Sequence, residues 1–407
     1  MSASTRPGPG RPLRVALVID DSLDRPDGVQ QYVLVLGAWL TAQGHEVHYV
    51  TASSERTDLE HLHVVGRTVQ VTFNGNRLGT PLPVSRREAR ALLESVRPDV
   101  VHVQMPYSPL LAGRVVSAAP AGTAVVGTFH IYPQSRLVEV GAHVLGRWER
   151  RRLRRFDSVM TVSEAAQEFA GRTFGLRTQV VGNPVDLGRF VPGEGASGGT
   201  AVGSTAVGSG AGSSRAAGGA PRIAFLGRLV ARKGPRELVR ALGRLHETDP
   251  RLPWHATIAG RGRLLDDLRT LARTHGIVDR VDFPGFLDEA EKPAFLTSAD
   301  LVALPSTGGE SFGISVVEAL AAASGPVLAG DNPGYRTVMR GLEDQLVVPG
   351  DTDAFAAELG HRLRSLADPA ERVRVVARQR TAAQRFDLDV IGAQVEQTYR
   401  DALAARS

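Results

Sequence analysis

The chain has 407 residues, 42% hydrophobic and 22% charged, with a formal net charge of +5 and no cysteine. That length supports two domains with full cores, and the lack of cysteine excludes disulfides, thiolate metal sites and thiol catalysis. No apolar run reaches the roughly 18 residues of a membrane-spanning helix, and residues 1–12 lack the apolar segment of a secretory signal. The leader 1–12 is expected to be disordered and the protein cytoplasmic.

From Leu13 onward, short apolar runs alternate with helical patterns, the signature of α/β domains with parallel sheets. The first series of strands is Leu13–Ile19, Glu46–Thr51, Val100–Val103, Ala124–His130, Ser158–Val162 and Gln179–Val181. Residues 193–220 are almost entirely Gly, Ala, Ser, Thr and Val and read as a flexible linker, either low-complexity drift or a tuned hinge. The second series is Ile223–Leu226, Ala256–Ala259, Val281–Phe283, Leu301–Leu304, Val327–Ala329 and Gln345–Val348. Helical patterns close the chain at Asp351–Leu366 and about Ala370–Ala404. The expected divisions are therefore a first domain 13–192, the linker 193–220, a second domain 221–385 and a C-terminal helix 386–407. Neither series carries G-x-G-x-x-G after its first strand, which disfavours a dinucleotide-dependent dehydrogenase.

Three segments carry chemistry. In the second series, Gly308-Gly309-Glu310-Ser311-Phe312-Gly313-Ile314 follows the strand Leu301–Leu304 and opens a helix that includes Glu318. Backbone N–H groups at such a turn favour an anion such as phosphate, whereas the two carboxylates suit sugar hydroxyls. A glutamate at a helix start also simply complements the dipole, so the pair alone leaves both readings open. The strand Ile223–Leu226 leads into a loop bearing Arg228 and Lys233 before Pro235 starts a helix. A guanidinium grips phosphate bidentately and an ammonium acts as a movable point charge. Of the 48 basic residues only Lys233 and Lys292 are lysine. Against that arginine background, as in a GC-rich genome, a lysine stands out. In the first series, His130 ends a strand.

Gly-Arg-x4-Lys-Gly at 227–234, followed by Gly-Gly-Glu-Ser-Phe-Gly-x4-Glu at 308–318, resembles the nucleotide-sugar site of retaining glycosyltransferases of the GT-B fold. The Glu-x7-Glu spacing of Glu310 and Glu318 resembles family four in particular. Arg25-Pro26-Asp27-Gly28-Val29 resembles that family's glycine-rich loop facing the donor diphosphate, and Gly127-Thr128-Phe129-His130 the strand end whose histidine reaches the donor sugar. Among subfamilies the likeness is to the actinobacterial phosphatidylinositol mannosyltransferases, through Asp24–Gln30, Gly44–Val47, Phe73-Asn74-Gly75 and Gly309–Glu318. Pro184 is a small departure within Gly182–Asp186.

The resemblance implies an α/β GT-B fold: two Rossmann-like parallel-sheet domains facing a cleft, with the C-terminal helix crossing back to the N-terminal domain. It implies a metal-independent, retaining hexosyltransferase with no cofactor, since the nucleotide-sugar is a substrate and GDP-mannose is the favoured one. Donor binding would involve Gly28, Arg228, Lys233, Gly309, Glu310, Ser311, Phe312, Gly313, Ile314 and Glu318, and catalysis His130, Glu310, Arg228 and Lys233. The acceptor side would use Asp20, Asp21, Tyr107 and Tyr132. Asp20, Asp21, Gln104–Tyr107 and Ile131–Gln134 depart from the lipid-using group, which leaves a lipid, a polyol or another hydroxyl-bearing acceptor open. A UDP-sugar donor, a non-transferase GT-B enzyme and a non-catalytic sugar-nucleotide-binding subunit are the alternatives. Two arginine-rich segments fit an anionic membrane surface; no nucleic-acid partner is expected. The first holds Arg77, Arg86, Arg87 and Arg90. The second, Arg147–Arg155, is expected as a helix with Leu145, Trp148, Leu153 and Phe156 on one side, that side lying either on lipid or on the domain.

Overall fold

The computed structural model describes residues 10–24, 27–66, 68–73, 76–81, 84–132, 136–190 and 219–406. Nearly all of the 193–220 segment and the leader up to residue 9 lie outside them, as do Arg25, Pro26, Asn74, Gly75, Pro133 and Gln134. The chain divides into two compact units, Met1–Val185 with Phe386–Ser407, and Asp186–Arg385.

The first unit holds strands β1 (Arg14–Ile19), β2 (Glu46–Thr51), β3 (Leu62–Val64), β4 (Thr68–Phe73), β5 (Asn76–Pro81), β6 (Val100–Gln104), β7 (Ala124–Phe129), β8 (Ser158–Thr161) and β9 (Gln179–Val180). Its helices are α1 (Gly28–Ala42), α2 (Arg86–Val96), α3 (Leu111–Ala118), α4 (Arg136–Leu153) and α5 (Glu164–Phe174). Seven strands pair in the order β3-β2-β1-β6-β7-β8-β9, every pair parallel, while β4 and β5 form a separate antiparallel hairpin. The central strands β6 and β7 are buried at every position. Such strands read as continuous apolar runs because helices cover both faces of a parallel sheet. Short β3 and the hairpin were not visible as apolar runs.

The second unit holds β10 (Arg222–Leu226), β11 (His255–Ala259), β12 (Val281–Gly285), β13 (Leu301–Leu304), β14 (Val327–Gly330) and β15 (Leu346–Val347). Its helices are α6 (Pro235–Thr248), α7 (Leu265–Thr274), α8 (Lys292–Thr297), α9 (Ile314–Ala322), α10 (Pro333–Val338), α11 (Thr352–Ser365) and α12 (Pro369–Gln384). The sheet order is β12-β11-β10-β13-β14-β15, again all parallel. Its core packs Ile223, Phe225 and Ile258 of the sheet against Leu238, Leu242, Leu268, Phe355 and Leu359 of the helices.

In both sheets the chain first builds outward on one side of the first strand and then crosses to the other. The reversal falls between β1 and β6 in one unit and between β10 and β13 in the other. In open α/β sheets the crevice outside the carboxyl ends of the strands at such a reversal is where ligands bind.

The helical pattern at 370–404 comprises α12 and a separate C-terminal helix. It breaks at Arg385–Asp387, after which α13 (Leu388–Ala404) joins the first unit. Leu388 N–H donates to Val185 O, and Val185 N–H donates to Phe386 O, both at 2.9 Å. The Asp387 side chain then caps α13 by accepting from Asp389 N–H. Helix α13 packs on α1, where Trp39 Nε1–H donates to Asp389 Oδ1 at 2.7 Å. The two helices meet at Gly392, where a Cβ would sit 2.5 Å from the Trp39 ring. Gly392→Val is therefore expected to destabilise the protein by about 1–3 kcal/mol through overpacking. Urea unfolding checks this: a midpoint equal to that of the parent would mean the contact does not constrain the fold.

Candidate active site

At the β10/β13 reversal, two loops are locked backbone to backbone. The first leaves β10 through Gly227 and Arg228, makes a 3-10 turn at Ala231–Lys233 and enters α6 through Gly234. Gly234 has φ +74°, and a Cβ there would lie 1.8 Å from Pro305 O, so only glycine allows the approach. The second loop runs from Pro305 to Gly313. Its Ser306 hydroxyl (2.7 Å) and Thr307 N–H (2.9 Å) both donate to Arg232 O. Asn332 Nδ2 donates to Ser306 O from the far side. Gly313, at φ +108°, then starts α9.

These contacts aim cations at one carboxylate. Glu310 is buried, and Lys233 Nζ lies 3.1 Å from each of its oxygens. Arg232 Nη1 bonds Glu310 Oε1, and the Ser306 hydroxyl is 3.4 Å from that oxygen. Burial pushes the Lys233 pKa down; Glu310 opposes that shift, and Arg232 and Arg228 add to it. Arg228 itself is exposed. Two cations, Arg232 and Lys233, hold this carboxylate, and the exposed Arg228 acts electrostatically on Lys233, so positive charge exceeds negative beside the start of α9, the electrostatics that suit a phosphate.

Glu318 occupies a different environment. Helix α9 is buried over most of its circumference, and Glu318 goes in with it. Its partner is Lys292 at the start of α8, at 3.6 Å, which also holds Glu289 at 2.5 Å. Burial raises the Glu318 pKa and Lys292 opposes the rise. The only two lysines of the chain thus pair with the two glutamates of the Glu-x7-Glu spacing.

In the first unit, β6 and β7 run in register with Gln104 opposite Thr128, which sets His130 just beyond the β7 end. The His130 Nε2 lies 2.7 Å from Gln104 Oε1, and its ring meets Tyr32 edge-on at 5.0 Å. Burial holds its pKa down to about 3, so the ring is neutral. With the proton donated from Nε2 to the Gln104 carbonyl, Nδ1 is left as an acceptor. Behind it runs a buried polar chain: Tyr399 OH to His102 Nδ1 (2.7 Å), His102 Nε2 to Thr128 Oγ1 (2.7 Å), and Thr128 Oγ1 to Tyr32 OH (3.3 Å). The His102 pKa is likewise pushed down to about 3, chiefly by burial and further by His130.

The remaining expected residues are less concentrated. Asp20 is buried and accepts from Ala112 N–H at 2.7 Å, so its carboxylate serves the start of α3. Asp21 is exposed and accepts from Gln30 Nε2 at 3.1 Å. Tyr107 packs against Phe129 and Phe174, with its hydroxyl pKa raised by burial and by Asp20. Tyr132 is half-buried beyond His130 and Gly28 is the exposed first residue of α1. Phe312 and Gly313 are buried, and Ser311 and Ile314 half-buried, around the start of α9. The sequence alone assigns no role to Arg232, Lys292, Ser306 or Gln104. Lys292 carries a signal as one of two lysines, and Gln104 as part of the divergent strand end Gln104–Tyr107.

Two parallel-sheet units, each reversing direction at its first strand, are the architecture of the GT-B fold. A glycosyltransferase from Rickettsia africae superposes over 97% of this chain and 99% of its own with a TM-score of 0.71 at 14% identity. Residues 26–189 match the Glycosyltransferase Family 4 model, and residues 212–380 match Glycosyl transferases group 1. The phosphatidyl-myo-inositol mannosyltransferase of Mycobacterium leprae is 31% identical over 95% of this chain and 96% of its own. That of Propionibacterium freudenreichii is 31% identical over 95% and 94%. The chain belongs to glycosyltransferase family four.

His102 and His130 make the first unit acid-sensitive. Each has a folded pKa near 3, against an ordinary value near 6.5. Below about pH 6.5 the unfolded chain binds more protons, so stability is intact above that pH and falls toward pH 3. Each histidine contributes a slope of about 1.4 kcal/mol per pH unit. Urea midpoints between pH 7.5 and 4.5 should drop accordingly, and His102→Gln should flatten the slope by one proton. Equal slopes in the two proteins would contradict the neutral buried His102.

Proposed function

We propose that this glycosyltransferase moves a hexose, mannose in the favoured case, from GDP-mannose to an acceptor hydroxyl with retention of configuration. The observation that carries the reading is the Arg232–Lys233–Glu310 cluster beside the start of α9. Lys233, Arg232 and the exposed Arg228 would take up the charge of the departing diphosphate, an electrostatic role that needs no metal ion. Glu310 would accept hydrogen bonds from the donor sugar and Glu318 from the ribose. His130, neutral and with Nδ1 open to accept, would hold a hydroxyl of the donor sugar. Among the described residues we assign none as a covalent nucleophile. The acceptor oxygen therefore attacks on the face from which the leaving group departs: the bond from C1 to phosphate oxygen breaks, the new C1–O bond forms, and the acceptor proton passes to the leaving phosphate.

Mannose is favoured because the M. leprae and P. freudenreichii relatives carry that activity in their names. A phosphatidylinositol acceptor would follow from the same likeness, and a lipid acceptor would station the protein peripherally at a membrane. Among the described residues no helix is long and apolar enough to cross one. Commitment of the Asp20 carboxylate to the start of α3 leaves Asp21 as the exposed acid there, so the repulsion toward a phosphorylated acceptor is smaller than two free carboxylates would impose.

Lys233→Ala should lower turnover by about 10²–10³-fold with the fold retained, the scale for removing one charge-stabilising group; turnover near that of the parent would take Lys233 out of the mechanism. A thermal-shift screen with GDP-mannose, UDP-glucose and UDP-N-acetylglucosamine tests the donor. At 100 times its Kd the true donor stabilises by about 2.7 kcal/mol. A shift with a UDP-sugar alone would replace the GDP-mannose reading, and no shift with any would count against the donor site.

A further inference from the structure

Helix α4 does not present the face its sequence suggests. Leu153 is buried, but Trp148 is 81% exposed and Val144 is 68% exposed. Five positions at about 100° each put Trp148 and Leu153 well apart around the helix, so they do not share one apolar side. Val144 and Trp148 lie one turn apart on the outer face. Arg147, Arg151 and Arg154, to one side of them, and Arg150 further round the helix are exposed as well. Glu149, the acid of this stretch, is turned inward and ion-paired to Arg152. From Gly141 to Arg154 no exposed side chain is acidic.

An exposed tryptophan and valine flanked on one side by Arg151, Arg147 and Arg154 make a poor solvated face and a good interfacial one. Tryptophan prefers the headgroup level of a bilayer, and arginines bury their stems while their charges stay with anionic headgroups. A groove-binding protein partner would need a longer apolar row at i, i+3, i+4 and i+7. Helix α2, the other arginine-rich helix, shows the contrast. Its exposed Arg86, Arg87 and Arg90 are interspersed with exposed Glu88 and Glu94, and it exposes no large hydrophobic residue. We propose that the Val144–Trp148 face of α4 is the surface by which this protein docks on an anionic lipid bilayer. The inference deepens the peripheral station proposed above and needs neither donor nor acceptor.

The other two tryptophans, Trp39 and Trp254, are buried, so Trp148 is its own reporter. The full chain is mixed with vesicles of phosphatidylglycerol and phosphatidylcholine, and with vesicles of phosphatidylcholine alone. Binding is followed by co-sedimentation, by tryptophan emission and by quenching from lipids brominated on the acyl chains. The expected result is salt-sensitive binding to the anionic vesicles only, with a blue shift and quenching. Trp148→Ser should lose the shift and quenching, and Arg147→Glu with Arg151→Glu should weaken partitioning by well over the roughly fivefold that one basic residue contributes. Thermal midpoints and slow donor hydrolysis should be unchanged in these variants. Binding that persists undiminished in both variants would keep the membrane station and overturn the α4 face. Absence of vesicle binding would overturn both. A shift produced by a soluble polyanion such as heparin but not by vesicles, or self-association lost in Trp148→Ser without vesicle binding, would reassign the face to another partner.

Discussion

A buried carboxylate is tolerated only when a cation or a set of donors comes with it, and much of the second unit is arranged around that requirement. Glu310 sits at the carboxyl edge of the sheet because its loop is short, glycine-rich and pinned to the neighbouring loop through Ser306, Thr307 and the Arg232 carbonyl. The pinning carries Arg232 and Lys233 onto the carboxylate. Glu318, buried on the apolar helix α9, is matched by Lys292 from α8. A ligand's hydroxyls and phosphates would exchange partners with groups already held in place, so little reorganisation is asked of the site when charge moves.

The first unit solves a different problem with neutral groups. His102 and Thr128 are central sheet residues, where charge would be expensive, and the polar chain from Tyr399 to Tyr32 satisfies them without one. One end of that chain lies on α13, more than 290 positions away in sequence, and the other touches His130. The C-terminal helix therefore completes the core of a unit built mostly from the other end of the chain. Packing of Gly392 on Trp39 and the Trp39–Asp389 bond fix its register.

Arginine plays two roles separated by burial. Half-buried Arg232 and Arg152 are each paired to a buried glutamate, Glu310 and Glu149, whereas Arg147, Arg150, Arg151 and Arg154 stay outside on the same helix as Trp148. In a chain where nearly every cation is arginine, composition cannot separate these roles. The two lysines stood out only because they were rare.

The sequence by itself determined the alternation of parallel strands and helices, since strands buried on both faces must be apolar runs such as Val100–Val103 and Leu301–Leu304. It also determined the glycine turn, the spacing of Glu310 and Glu318, and the two lysines, because these are local patterns imposed by backbone conformation and residue chemistry. It did not show the short edge strand Leu62–Val64, which pairs with a separate strand of the sheet. Tertiary structure alone decided that Arg232 bonds Glu310 while Arg228 is exposed, that Asp20 serves α3, that Gln104 accepts the hydrogen bond of His130 Nε2–H, and that Trp148 is exposed. Each of those outcomes depends on a partner, or on the lack of covering side chains, set by packing between residues far apart in the chain. Spacing along one segment carries no information about what lies opposite it.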